Sequence, residues 1–287
     1  MLFSEIIGQA EVKSRLSANV AEGRISHAQL FLGPEGCGSL AMALAYAQYI
    51  LCENRSDSDA CGTCPSCVKN NKLVHPDVHY AFPVASTKTI TTKPVSNDFM
   101  IEFRTEVLKN PYLNLFDFLQ VLGIENKQGN ISTEESAEIL RKLSLTAFEA
   151  NYKVMIIWMA EKMNPPCANK LLKILEEPPE KTLFILVAES QDAMLRTVLS
   201  RAQLVKFKKL GDEELTQQLM QKHGLSASMA QQTAHLADGN YNEALKLISS
   251  EEGDNFFIET FRTWMLLCYG RKLNDTIKWV ETMVPLG

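Results

Sequence analysis

The chain contains no uninterrupted apolar run approaching the ~18–20 residues that carry a helix across a bilayer. Its first residues, MLFSEIIGQAEVK, have no basic segment followed by an apolar one. The expectation is a cytoplasmic protein with no secretory leader and no membrane partner. Positive charge is not in excess either: 29 Lys and Arg stand against 34 Asp and Glu, a net charge of −5. Non-specific DNA affinity comes from neutralising phosphates, so this balance argues against a protein that coats DNA unaided. Internal repeats and low-complexity tracts are missing. Cysteine is scattered except in one place, where four of the seven fall within residues 52–67. In a reducing compartment that crowding points to a metal before disulfides.

What remains is ordinary globular material, 287 residues with 46% apolar and 22% charged side chains, enough for about two domains. Val12, Leu16 and Val20 have helical spacing. Ala28 to Leu32 reads as a buried strand, residues 33–38 as a glycine-rich turn and Ser39 to Leu51 as a helix. Strand, glycine turn, helix is the opening of a parallel α/β domain. Residues 83–96 read as an exposed loop, 98–109 and 112–122 as helices, and Ser132 with Glu135 as a helix-starting capping box. Alternation resumes with a strand from Val154 to Met159, helix 166–177, strand 183–188, helix 191–199 and strand 203–207. Beyond Lys209 only helices are expected, near 212–222, 227–237, 241–249 and 255–269.

Residues 33–40 read GPEGCGSL. The phosphate-loop pattern is G-x-x-x-x-G-K-[ST] between a strand and a helix, and Gly33 and Gly38 occupy its glycine positions, with Gly36 between. Such a turn aims backbone N–H groups and a helix dipole at phosphate. Yet Ser39 stands where lysine would neutralise phosphate, and Leu40 where a hydroxyl would ligate Mg²⁺. Two readings stay open: a strand–helix turn without ligand, and residual nucleotide binding at Gly33, Gly36, Gly38 and Ser39. The acidic residue that holds Mg²⁺ in such ATPases belongs at the end of a later strand. Here Trp158 and Met159 end that strand, and Glu161 reads as a solvent-facing residue opening a helix. The chain is not expected to be a motor.

Cys52, Cys61, Cys64 and Cys67 form C-x8-C-x2-C-x2-C. Four thiolates suit a closed, structural tetrahedral zinc site, because each C-x2-C turn places two sulfurs on one side of the ion. The same ligands could hold an iron–sulfur cluster. His75 is a reserve ligand, Lys69 and Lys72 hint weakly at a contact surface, and Cys37, Cys167 and Cys268 read as small core residues.

The stretch ANKLLKILEEPPEKTLFILVAES at 168–190 precedes TVLSRAQLVKF at 197–207. With IIGQAEV at 6–12, ISHAQLFLGPEGCG at 25–38 and the cysteines, these segments resemble bacterial clamp-loader subunits of the AAA+ class. The resemblance covers about residues 3–75 and 150–250; residues 76–150 fit it poorly and look like an enlargement. It implies an AAA+ domain at 1–208 with a zinc module at 52–67, a helical lid at 209–250, and at 251–287 the beginning of a helical collar that stops short. It also implies a five-subunit ring that opens a sliding clamp and places it on primed DNA, with the ATPase subunits (gamma and tau) and the delta subunit as partners. One member of such rings lacks the phosphate-loop lysine, as this chain does. Ser200-Arg201-Ala202 aligns with the family's Ser-Arg-Cys motif, whose arginine acts in trans on the ATP of the adjacent subunit. Ala188 and Asn242 stand at the two sensor positions and fit an inert site. The competing readings are an independent ATPase using Glu161 as base, disfavoured because helix 39–51 has no lysine, and a zinc-dependent nucleic-acid-binding module.

Overall fold

The computed structural model describes residues 1–250, 254–270, 276–277 and 279–280. The chain divides into two compact units, Met1–Asn242 and Glu243–Gly287. In the first, five strands, β1 (Ala28–Leu32), β2 (Val78–Ala81), β3 (Lys153–Trp158), β4 (Thr182–Ala188) and β5 (Gln203–Lys206), form a parallel sheet in the order β2–β3–β4–β1–β5. Every residue of β3 and β4 is buried, as expected of strands covered on both faces.

Period-2 alternation splits their side chains between two layers. On one face Met155, Ile157, Phe184, Leu186 and Leu30 pack with Ile139 and Leu143 of α6 (Thr133–Ser144), with Cys167, Leu171 and Leu175 of α7 (Pro165–Glu176), and with Val198 of α8 (Arg196–Leu199). On the other, Phe31 meets Tyr46 of α2 (Ser39–Leu51), their rings 6.1 Å apart. There Trp158 meets Phe103 of α4 (Met100–Lys109) and Phe118 of α5 (Leu115–Val121), each at 5.8 Å. Around the sheet lie α1 (Ala10–Ala21), α3 (Pro65–Asn71), α9 (Asp212–His223), α10 (Ala227–Leu236) and the start of α11 (Tyr241–Ser250). The second unit holds α12 (Asp254–Gly270).

Local chemistry accounts for the element ends. Asn164 caps α7 by accepting the Cys167 N–H at 2.8 Å, with Pro165 at the first helical position. Ser132 caps α6 by accepting the Glu135 N–H.

Four expectations need correction. Residues 76–150 are not simply an appendage, because they contribute the edge strand β2, too short and too interrupted by His79 to stand out as a strand. In the 83–96 loop, Pro83, Val84 and Ser96 are buried: Val84 bridges Asn130 and the Ser96 hydroxyl donates to Phe82 O at 3.0 Å. The helix expected over 191–199 shrinks to α8, since Ser190, Gln191 and Asp192 prefer a turn, which the Met194 N–H closes on Gln191 O. Finally, Cys37 and Cys167 are fully buried, but Cys268 on α12 is exposed.

One buried anchor organises the segment leading into β3. The carboxylate of Asp77, itself buried, accepts the N–H groups of Phe148, Glu149 and Ala150 at 2.6, 2.8 and 2.8 Å. Burial alone would raise its pKa; the three backbone bonds outweigh that and hold it below the usual carboxylate value. A depressed folded-state pKa adds stability that is present above the unfolded value and lost as pH falls through the folded one. Asp77→Ala should therefore cost about 2–4 kcal/mol at neutral pH by leaving three amides unpaired, measurable by urea denaturation. The gap between variant and parent should narrow towards pH 3.

Candidate functional site

The carboxyl ends of β1, β3 and β4 meet at one place, because register aligns Leu32 with Ala188 and Trp158 with Val187. In open parallel sheets this is where ligands bind. The glycine turn leaves β1 there, its Gly33 N–H donating to Ala188 O at 3.2 Å, and runs into the N-terminus of α2. Gly36 and Gly38 both have left-handed backbones, with φ of 68° and 89°, so glycine is required on conformational grounds alone. Ser39 and Leu40, at the lysine and hydroxyl positions, are buried or nearly so.

The turn is crowded by this chain's own side chains. Glu35 accepts hydrogen bonds from Asn114 Nδ2 at 3.0 Å and Asn240 Nδ2 at 2.9 Å. The Gly36 carbonyl accepts the Tyr241 N–H at 3.2 Å. Tyr112 packs against Gly38, and its hydroxyl accepts the Ile7 N–H at 2.9 Å.

Where the Mg²⁺-holding acid belongs, Trp158 joins the aromatic cluster of Phe82, Phe103 and Phe118, the first two stacked at 4.1 Å. This position is part of the core. Glu161 departs from its expected solvent-facing position: it is half-buried, and one carboxylate oxygen accepts the Glu189 N–H at 2.8 Å. Its turn is folded back against the end of β4, which sequence spacing alone does not reveal. Burial raises the Glu161 pKa. Burial, then the charges of Glu161 and Glu35, push Glu189 up to about 7. Glu35 and Glu189 line a cleft of about 590 Å³ together with Phe116, Lys127 and Lys162. Two carboxylates and two lysines thus face each other across this cleft, so its charge is mixed rather than strongly positive.

Arg201 lies at the other end of the sheet. It precedes β5, where Gln203 pairs with Gln29, so on the order of 15 Å of strand separates it from the glycine turn. Its Nη2 forms an ion pair with Glu176 at the end of α7, and its Nη1 donates to Thr197 O at 2.8 Å and to Ser200 Oγ at 3.3 Å. Ser200 Oγ in turn donates to Thr197 O at 3.1 Å.

The four cysteines converge. Their sulfurs all lie within 4.8 Å of one another, with Cys52–Cys61, Cys52–Cys64 and Cys61–Cys67 at 3.5, 4.0 and 3.9 Å. Ligands about 2.3 Å from one tetrahedral ion lie roughly 3.8 Å apart, so the thiols fit a single metal ion. Cluster irons each take their own thiolate and would spread the sulfurs wider. Backbone N–H groups of Cys61, Cys64 and Cys67 donate to the sulfurs of Cys52, Cys61 and Cys64 at 3.2, 3.3 and 3.5 Å. Bonds from the Thr63 and Cys64 N–H groups pull Cys61 down to about 6. His75 stands apart: it is buried, and its Nδ1 accepts the Asp77 N–H at 3.1 Å. The module grips the start of the chain, since Asp59 accepts the N–H groups of Phe3 and Ser4, both at 2.9 Å.

The profile of the family described as DNA polymerase III, delta subunit, matches residues 8–211, including the 76–150 segment that reads poorly from sequence. The chain belongs to the DNA polymerase III delta subunit family. Among curated relatives it resembles the DNA polymerase III subunit delta prime of Bacillus subtilis, with 27% identity over 244 residues, 85% of this chain and 60% of that protein. It is also similar to subunit tau of Bacillus subtilis, 24% identical over 90% of this chain and 39% of the relative. Against subunit gamma/tau of Mycobacterium tuberculosis the figures are 26%, 72% and 29%. The chain thus spans 60% or less of these relatives' length. A solved single-substitution mutant of RuvB from Thermotoga maritima shares the fold, with TM-score 0.50 and 14% identity over 98% of this chain and 72% of that one. The fold is the AAA+ arrangement expected from the family's motifs.

Of the residues named from sequence, the structure brings the four cysteines together and sets Arg201 apart from the glycine turn. Sequence reading misses Tyr112, Asn114, Asn240, Glu189 and Glu176. The signal closest to a warning is the Asn-Pro-Tyr-Leu-Asn run at 110–114, whose two asparagines and proline break the helix expected from 112.

The carboxylate cluster gives a signed pH test. A carboxyl whose folded pKa is raised contributes stability that is full below its unfolded value and lost as pH rises through the folded one. Glu189→Gln should therefore stabilise the protein more at pH 8 than at pH 5. The difference should be on the order of 1 kcal/mol, since solvent reaching the half-buried carboxyl screens the rest. Thermal melts at the two pH values measure it, and equal effects would remove the cluster as its cause.

Proposed function

We propose that this chain is a non-hydrolysing, delta prime-type subunit of a DNA polymerase III clamp loader. In this reading it works in the cytoplasm as a rigid member of a ring with gamma or tau ATPase subunits and a delta subunit. The assembled ring loads a sliding clamp onto primed DNA during replication. The chain lends Arg201 to the ATP site of its neighbour.

The observation that carries this reading is the placement of the groups. The glycine turn has Ser39 at the lysine position and Leu40 at the hydroxyl position, Trp158 fills the acid's position, and Arg201 lies at the opposite end of the sheet. An arginine that far from its own turn cannot act on a phosphate bound there, so any phosphoryl group it meets belongs to another chain. Its planar fork and permanent charge suit that task. The hold on Arg201 is weak, because half-exposed ion pairs such as that with Glu176 are worth about 0–1 kcal/mol. Ser200 steadies the resting guanidinium.

Zinc is proposed as the ion held by Cys52, Cys61, Cys64 and Cys67, in a closed site whose role is structural. The lid at 209–250 and the collar beginning at 251–287 belong to the same proposal. Phe261, Trp264, Leu266 and Tyr269 on α12 are exposed, as a helix that packs against other collar helices would have them. No helix among the described residues is long and apolar enough to cross a membrane.

The purified chain should be silent in ATP turnover. In the assembled complex Arg201→Ala should depress DNA-stimulated hydrolysis at the neighbouring site by well over tenfold, arginine fingers being worth ~10³–10⁵ in related phosphoryl transfer. Full activity after that change would refute the assignment. Elemental analysis should find about one zinc per chain, and Cys64→Ser should both release it and lower the melting temperature by several degrees.

A further inference from the structure

The segment 110–114, between α4 and α5, crosses the glycine turn. The Tyr112 ring is almost fully buried there, packed edge-to-face on Tyr241 at 4.9 Å with its hydroxyl on the Ile7 N–H. A Cβ placed on Gly38 would lie 2.7 Å from Tyr112 Cε1, and one on Gly36 would lie 1.8 Å from Asn240 Oδ1. The segment is tied at both ends. Asn110 Nδ2 donates to Asn242 Oδ1 at 2.5 Å, and Asn242 Nδ2 to Asp117 Oδ2 at 2.7 Å. Asn114 and Asn240 share Glu35, as described above. Amide side chains and an aromatic ring thus pack against the two glycines that a bound nucleotide would have to approach.

We infer that residues 110–114 and Asn240 form a resident plug that closes the glycine turn to nucleotides, independently of the missing lysine and hydroxyl. A nucleotide needs the backbone of the turn bare, so that phosphate oxygens can come within hydrogen-bond distance of its N–H groups. Here Tyr112 and Asn240 fill the space beside Gly38 and Gly36, and Glu35, pinned by two amides, adds negative charge. Restoring the lost side chains is therefore not enough to restore binding. This inference goes beyond the non-hydrolysing reading, which rests on Ser39, Leu40 and Trp158 and would survive without a plug.

The test titrates the full chain with a fluorescent ADP analogue. The proteins compared are the parent, Ser39→Lys with Leu40→Thr, and that double variant carrying Tyr112→Ala and Asn240→Ala as well. The parent and the double variant should show no saturable binding. The opened variant should bind at least about tenfold more tightly than either. Binding by the double variant equal to that of the opened one overturns the plug. So does absence of binding by an opened variant that melts cooperatively and keeps its metal. Should the opened variant not fold, Asn110→Ala with Asn240→Ala in the double background takes its place. It removes only hydrogen-bonding groups and must still bind more tightly than the double variant; equal affinities overturn the plug. The Arg201 experiment reads hydrolysis by a neighbour, so either idea can fail while the other stands.

Discussion

A parallel sheet gathers its strand ends and the loops leaving them at one edge, and in nucleotide-binding relatives of this fold that edge stays open for a ligand. In this chain part of that edge is covered by the chain itself. Phe103 and Phe118 cover Trp158 at the end of β3, and Tyr112 and Asn240 cover the glycine turn at the end of β1. Aromatic contacts of this kind combine large buried area with specific ring geometry. The stretch α4 through α5 supplies Phe103, Tyr112 and Phe118, and Asn240 joins them from the turn before α11.

Electrostatics follow from that burial. Glu35, Glu161 and Glu189 gather at these strand ends, and Lys127 and Lys162 line the same cleft as Glu35 and Glu189. Two neutral amides satisfy Glu35 and a backbone N–H satisfies one oxygen of Glu161. The cationic group of interest sits at the far end of β5, held lightly by Glu176 and by a helix carbonyl. The domain therefore carries a cluster of carboxylates at one end of its sheet and, a strand's length away, an arginine held at the other.

The sheet was largely legible because β1, β3 and β4 are runs of branched and aromatic apolar residues between glycine and proline punctuation. The glycine turn and the cysteine spacing were legible because their chemistry depends on residues close in sequence. The covering of the turn was not: Tyr112 lies 105 positions from Ile7, and Asn240 lies 205 from Glu35. No local pattern records such pairings. β2 escaped notice because four residues containing a histidine carry little periodicity, and Glu161 was misjudged because only tertiary structure brings the Glu189 amide to it. Arg201 is a mixed case, since its motif was plain but its partner Glu176 was not.

The hydrogen bonds from Phe3 and Ser4 to Asp59 connect features that are otherwise separate. Asp59 lies within the cysteine loop, and four residues along from Phe3 the Ile7 N–H holds the Tyr112 hydroxyl. The first seven residues are thus a short tether with the metal module at one end and the cover of the glycine turn at the other. Free energy gained by a ligand that binds only the ordered form stabilises everything ordered with it. An ion bound among the thiols would thereby steady an aromatic ring at the glycine turn, through the hydrogen bonds of Phe3, Ser4 and Ile7.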